Sequence, residues 1–154
     1  MKTLKQVVDL IEQIQTDSIL FKSFKYEPIW EISSKPDIVY PSVFCKVPLN
    51  ETVAVGQLNI SDLAMTVIFS DRSLESYLNR LETESRLREI SIIFMSILIE
   101  KLADWHLTVD SYNFLFYEEA SNDRCYSISC DFNIKQNLNN VCLDFINYIP
   151  TSCS

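Results

Sequence analysis

Glycine is nearly absent from this chain of 154 residues, in which Gly56 is the only one. The phosphate-binding loops of P-loop and dinucleotide-binding proteins need several glycines, because the backbone must approach the ligand closely. The sequence also lacks the pattern of an EF-hand calcium loop and that of a helical HExxH zinc site. These absences exclude the commonest nucleotide-binding loops and the simplest metal-binding motifs.

Histidine is equally scarce. His106 is the only one, so a Ser–His or Cys–His catalytic pair would have to use it. The thiols nearest in sequence are Cys125 and Cys130, and Cys130 falls in phase with apolar residues, so we expect it to be buried and unreactive. For His106 we expect a place at a helix end, where it caps exposed carbonyl groups. We therefore predict that the protein is not an enzyme and has no cofactor.

Cysteines are present, but their pattern predicts no shared site. The five of them are odd in number and irregularly spaced, without any CxxC pair or Cys/His cluster: Cys45, Cys125, Cys130, Cys142 and Cys153. Neither a disulfide framework nor a zinc site follows from such spacing. We expect free thiols.

Runs of basic residues and long apolar runs are both missing. The net charge of −8 argues against nonspecific binding to a nucleic-acid backbone. The most apolar run, Ile90–Ile99, contains two serines and is too short to span a bilayer. Met1–Lys5 leads into an amphipathic segment and not into an apolar one, which predicts no secretory signal. With 47% hydrophobic and 22% charged residues, the chain belongs to the globular class, and its length suits a single domain, 1–154.

The order of elements predicts an α+β fold, with a mostly antiparallel sheet packed on one long central helix and an N-terminal helix. Thr3 is a suitable cap for a first helix that ends near Asp17. The central helix should begin at Ser73. The predicted strands, two of which contain prolines that favour an edge or a bulge, are Phe24–Ile32 (Pro28), Ile38–Val47 (Pro41), Ala64–Phe69, Leu107–Tyr117 and Cys125–Lys135. In the last of these, alternation predicts one buried and one solvated face, and the aromatic residues of both arms favour cross-strand core packing.

The central helix changes character along its length. Its first half carries one apolar stripe at helical spacing: Leu74, Tyr77, Leu78, Leu81, Leu87 and Ile90. Its second half, Ile90–Ile99, is apolar in almost every direction. We expect that half to be buried on several sides, by the sheet or by another subunit.

Two segments resist assignment to the core. Residues 48–62 read as an irregular loop or arm, which could be an interaction element or a plain surface hairpin. Residues 136–154 form a C-terminal tail rich in apolar residues, which could pack on its own domain or on a neighbour. The sequence leaves both choices open.

Three short stretches carry a resemblance to a known group of proteins. They are Tyr40–Lys46 (YPSVFCK), the strand Thr66–Asp71 (TVIFSD) that leads into the long helix, and the hairpin closed at Asn122-Asp123. Together with the order of elements over residues 38–135, they resemble small neck and tail proteins of tailed bacteriophages. These include tail-terminator, tail-completion and head–tail joining proteins, of the type found in phages of Bacteroides-type hosts and in the crAss-like group.

The resemblance implies a homo-oligomeric ring in the neck or tail of the virion, assembled in the host cytoplasm. Such a ring contacts other neck, portal or tail proteins, touches no membrane, and lets genome DNA pass without sequence-specific binding. Repulsion by an acidic lumen would let the DNA slide. Subunits would pair through strand edges, the arm and the tail, and the candidate interface residues are Val53, Val55, Gly56, Leu58, Leu143, Phe145 and Ile146.

A second interpretation is a soluble adaptor or chaperone-like interaction domain, without enzymatic activity. It is consistent with the same composition, but such a domain should be a monomer or a dimer. The state of assembly therefore separates the two interpretations.

Overall fold

Two helices pack on one face of a six-stranded sheet in the computed structural model, which describes residues 2–27, 38–48, 50–55, 60–72, 77–118 and 125–138. The helices are α1 (Leu4–Asp17) and α2 (Tyr77–Asp104). The strands are β1 (Ser23–Glu27), β2 (Ser42–Lys46), β3 (Glu51–Ala54), β4 (Ile60–Arg72), β5 (Tyr112–Glu118) and β6 (Cys125–Asn137). The predicted α+β class, with an N-terminal helix and a long central one, is confirmed.

The sheet is built around its two longest strands. Its order is β1-β2-β4-β6-β5, and β3 pairs separately with β4. β4 and β6 pair antiparallel along their whole length, from Ile60 opposite Asn137 to Arg72 opposite Cys125. Only β1 and β2 are parallel, and every other pair of these strands is antiparallel. The sheet therefore has β4 and β6 at its centre and two margins, β1 and β5.

The first helix forms as predicted because both of its ends are specified locally. At its start, the Thr3 hydroxyl accepts a hydrogen bond from the backbone N–H of Gln6 (3.3 Å), and the Gln6 side chain accepts one from the Thr3 N–H (2.9 Å). This reciprocal capping satisfies two helix donors. Its buried residues recur at helical spacing and face the sheet: Val7, Val8, Ile11 and Ile14.

Three phenylalanine rings join the layers of the core. Phe21 follows α1, Phe69 lies on β4 and Phe94 on α2, and their ring centroids are 5.2 to 5.6 Å apart. Two of these contacts are edge-to-face, an arrangement that aromatic rings favour. All three side chains are almost completely buried, so this cluster marks the centre of the core.

Two prolines predicted the positions of strands in the sheet, and one of these predictions was wrong. β1 is a margin of the sheet, as Pro28 predicted; it ends at Glu27, and residues 28–37, which include the rest of the predicted strand, lie outside the described part of the chain. β2 was expected at an edge or with a bulge because of Pro41, yet it lies between β1 and β4. The strand begins at Ser42, after the proline, so the missing N–H removes no hydrogen bond from the ladder.

The strand β4 is longer than its apolar run. It extends to Arg72, beyond the predicted end at Phe69. Asp71 pairs with Tyr126, is only 3% exposed, and forms an ion pair with Arg86 of α2. The paired carboxylate tolerates burial that an isolated one would not. The start of α2 predicted at Ser73 falls in residues 73–76, outside the described part.

Residues 48–62 contain regular structure. β3 pairs antiparallel with the start of β4, from Glu51 opposite Leu63 to Ala54 opposite Ile60. This segment therefore contains a paired strand and is not wholly irregular, while its role as an interaction element stays a prediction. We call it the β3 arm. Its tip, residues 56–59, lies outside the described part of the chain.

The second half of α2 is buried along one stripe and not all round. The buried residues recur at helical spacing: Leu87, Ser91, Phe94, Met95, Leu98 and Leu102. Ile93 is 41% exposed, and Ile92 and Ile99 are half-buried. The expectation of burial on several sides was wrong for this chain by itself, because the sheet contacts only one side of the helix.

The sheet has a helix face, turned toward α1 and α2, and an outer face. The alternation predicted for β6 holds only from Asp131 onward, where Asp131 and Asn133 are exposed on the outer face. From Cys125 to Cys130 the strand is buried on both faces. Small side chains permit this: on the outer face the hydroxyl groups of Ser70 and Ser127 share a hydrogen bond of 2.7 Å.

Candidate subunit interface

The backbone of His106 ends α2. His106 has a φ of 59°, and its N–H donates to the carbonyl of Ala103 (2.9 Å) while the N–H of Leu107 donates to that of Leu102 (3.0 Å). These two bonds are the Schellman arrangement, in which the left-handed residue is usually glycine. The expected capping of helix carbonyls is therefore made by the main chain.

Two of the described thiols, those of Cys45 and Cys130, are poorly suited to nucleophilic chemistry. Burial raises the pKa of Cys45 to about 12, and burial together with the charge of Asp131 raises that of Cys130 to about 12. Both stay protonated near neutral pH, and the protonated thiol is the unreactive form. Cys130 is fully buried, as its phase predicted. Cys142 and Cys153 lie outside the described part.

An acidic surface lies at the start of β5, beside β6. A cavity of about 310 Å³ is lined by Asp62, Asp110 and Asp131, together with Lys135. Lys135 forms an ion pair with Asp110, which raises the pKa of the lysine. Within the described residues no group of three or more His, Cys, Asp or Glu is placed to hold a metal ion. Nor is any helix in these ranges both long and apolar enough to cross a bilayer.

Two of the predicted interface residues are described, and both are exposed. Val53 is 51% exposed and Val55 is 91% exposed. They lie two apart on and just after β3, so they point to the same side. The whole of β3 is exposed, so the β3 arm presents Val53 together with the polar residues Glu51 and Thr52. The other predicted interface residues lie outside the described part: Gly56, Leu58, Leu143, Phe145 and Ile146.

The strand β5 is a second apolar margin, which was not predicted. Its alternating aromatics predicted cross-strand core packing, and Tyr112 and Phe114 are indeed partly buried against the core. Phe116 points to the helix face but is 57% exposed, and Leu115 on the outer face is 61% exposed. The prediction was wrong for Phe116 because no helix covers β5 at that level.

A groove runs between the first half of α2 and the β5 margin. It has a volume of about 480 Å³ and is mostly apolar, with Leu81, Phe116, Tyr126 and Ile128 among its walls and Glu84 and Arg88 at its polar positions. Leu81 belongs to the stripe that we expected to be buried, yet it is 55% exposed. Exposed apolar patches of this kind often mark interaction sites.

The groove exists because the helices cover only part of the sheet. α1 contacts β1 and β2, whereas α2 contacts β4 and β6. β5 is the next strand beyond β6. A helix with its side chains is about 10–12 Å wide and strands are about 4.8 Å apart, so each helix covers about two strands. The fifth strand in the order is left with an open helix face.

Comparison with models of known protein families and with curated proteins finds no match to this chain.

Proposed function

We propose that this protein is a structural virion component that forms a ring in the head–tail neck or tail-terminator region of a tailed bacteriophage. The proposal starts from the resemblance of residues 38–135 to neck and tail proteins. The observation that carries it furthest is the placement of exposed apolar side chains on strand margins. Val53 and Val55 are on the β3 arm, and Leu115 and Phe116 are on β5.

Exposed apolar residues at strand margins support assembly through backbone pairing. An unpaired strand presents a row of N–H and C=O groups that another strand can satisfy. In a head-to-tail arrangement the same contact repeats and closes into a ring when the rotation permits. Two separate margins on one subunit provide the two different surfaces that such a contact requires.

The negative net charge of the chain supports a role in the passage of DNA. A chain with a net charge of −8 makes a ring that carries many negative charges. A lumen lined by some of them repels the phosphate backbone, so DNA slides through without binding. In this proposal the other phage neck, portal or tail proteins contact the two rims of the ring.

The state of assembly tests the proposal. We expect size-exclusion chromatography with light scattering to give a mass several times the 17.9 kDa of one chain, and negative-stain electron microscopy to give rings with a central opening. A mass of one chain at all accessible concentrations, without binding to portal or tail proteins, would contradict it.

Variants of the β3 arm sharpen the same experiment. Replacing Val53 and Val55 by aspartate places charges on the apolar side of the arm, and we expect it to weaken assembly. Replacing Thr52 and Ala54 by aspartate is the matched control, because these residues are also exposed but point to the other side of the strand. Equal effects of both pairs would count against a contact made by the arm.

The groove favours one alternative, a non-enzymatic adaptor or chaperone-like domain that binds a partner segment. Its volume of about 480 Å³ and its apolar walls fall within the range of binding clefts. A stable monomer that keeps the groove open would favour this alternative.

A further inference from the structure

Within the part of the chain that the structure describes, the strand β5 lacks the devices that normally protect a sheet margin. Natural proteins blunt such margins with lysine, proline, a bulge or a covering element. The sequence of β5, YNFLFYE, contains neither lysine nor proline, and it pairs without a break from Tyr112 opposite Phe132 to Glu118 opposite Tyr126. With Leu115 and Phe116 both more than half exposed, β5 is a ready template for another strand.

We propose that the β1 margin of one copy pairs with the β5 margin of the next, so that α1 of the second copy closes the groove beside α2. The inference rests on the proposed function, since it names the contact that would build the ring. Three independent features of the fold select β1 of a second copy as the occupant.

Helix coverage is the first feature. If β5 paired with β5 of a second copy, two uncovered strands would lie side by side and leave a gap about 10 Å wide between the helices. β1 arrives with its own helix, because α1 contacts both β1 and β2. Pairing β5 with β1 of a second copy therefore leaves only β5, about 4.8 Å wide, between the strands that the two helices cover, and brings α1 beside the exposed ring of Phe116.

Strand direction is the second feature. β2, β4, β6 and β5 alternate in direction, whereas β1 runs parallel to β2. β5 and β1 consequently point in opposite directions. When two copies stand side by side in the same orientation, β5 of one and β1 of the other form an antiparallel pair, the slightly more stable kind. The contact uses two different surfaces, so repetition leads to a ring and not to a closed dimer.

Charge is the third feature. Lys25 of β1 is level with Phe44 of β2 and so lies on the outer face. Asp131 of β6, level with Asn113 of β5, is exposed on the same face. Head-to-tail pairing brings the lysine of one copy toward the aspartate of the next. Pairing of two β1 margins would bring lysine toward lysine, which disfavours it, whereas two paired β5 margins would keep their Asp131 side chains about three strand spacings apart.

A single lysine on β5 tests the margin. Leu115→Lys places a lysine on the outer face of β5, where it would meet Lys25 of the next copy, and we expect it to weaken assembly at least about tenfold, measured by light scattering over a dilution series. Ile93→Lys is the matched control, since Ile93 is also exposed but lies on α2 away from the groove walls; it should assemble like the wild type. A wild-type protein that never assembles overturns the proposed ring itself. A wild type that assembles while Leu115→Lys assembles equally well overturns only the β5 contact.

Disulfide trapping identifies the partner strand, and it does not depend on loss of assembly. In a background with Cys142 and Cys153 replaced by serine, Leu115→Cys protein is mixed with Lys25→Cys protein and oxidised mildly. Facing residues of an antiparallel pair are about 4.5–5.5 Å apart between Cα atoms, within the range that a disulfide spans. We expect a cross-linked product that needs both variants, with Asn113→Cys in place of Leu115→Cys covering a shift of register by two residues. Efficient cross-linking of Leu115→Cys protein with itself, or no product from either mixture, would overturn the pairing of β5 with β1.

Discussion

Similar apolar residues are buried in the middle of the sheet and exposed at its β5 margin. At the middle, β4 and β6 pair over their whole length, and Phe69 packs between Phe21 and Phe94. At the margin, Phe116 and Leu115 are more than half exposed. The difference lies in what covers each strand, because two helices cover four strands and the fifth is left open. Apolar character alone therefore does not assign a residue to the core of a single chain.

The largest effect is expected when the same side chain is removed from the two regions. Phe94→Ala should lower the free energy of unfolding by about 3–5 kcal/mol, because it leaves a cavity where three rings meet. Phe116→Ala should cost less than about 1 kcal/mol in the dissociated chain, because the ring is already half solvated. Urea denaturation at low protein concentration measures both. Equal losses would mean that the margin is as well packed as the middle.

A smaller effect is expected at the junction between the two regions, where α2 ends and the chain turns toward β5. His106 has positive φ, and this conformation is about 1 kcal/mol less favourable for a residue with a Cβ atom than for glycine. His106→Gly should therefore stabilise the protein by up to about 1 kcal/mol. His106→Ala is the control and should give no such gain, since it keeps the Cβ atom. A loss of stability in the glycine variant would show that a contact of the imidazole stabilises the protein by more than the positive φ destabilises it.

The smallest effect is expected from Leu115→Lys on the stability of one chain. The side chain of Leu115 is 61% exposed, and surface substitutions of this kind usually stay within about 0.5 kcal/mol. Thermal unfolding of the dissociated protein measures the effect. A large destabilisation would place Leu115 in the core of the chain and remove it from the candidate interface.

Much of the fold could be predicted where local signals agree with the tertiary contacts. Thr3 and the spacing of Val7, Val8, Ile11 and Ile14 specify α1, and both of its ends were predicted. The strand β4 was predicted to end at Phe69, where its apolar run ends. The burial of Asp71 is possible because its carboxylate forms an ion pair with Arg86 and accepts a hydrogen bond from the backbone N–H of Arg72. The prediction from Pro41 was wrong because the strand begins one residue after the proline. A proline just before a strand leaves the hydrogen-bond ladder intact, whereas a proline inside it removes a hydrogen bond.

The candidate interface was predictable only in part. Residues 48–62 drew attention as an arm, and Val53 and Val55 are exposed on it. The exposure of β5 was not predicted, because a covered strand and an uncovered one can carry the same alternating aromatic residues. Its exposure follows from the number of helices and the order of the strands, which are properties of the whole fold. The only local sign of an exposed edge was that this alternating segment contains neither lysine nor proline.

Hydrogen exchange measured over a range of protein concentration tests the pairing of margins most directly. The account predicts that the backbone amides of Ser23–Glu27 and Tyr112–Glu118 gain protection together as the protein assembles, while those of the β4–β6 ladder are protected at every concentration. Assembly that leaves the exchange of both margins unchanged, or that protects β5 alone, would contradict it.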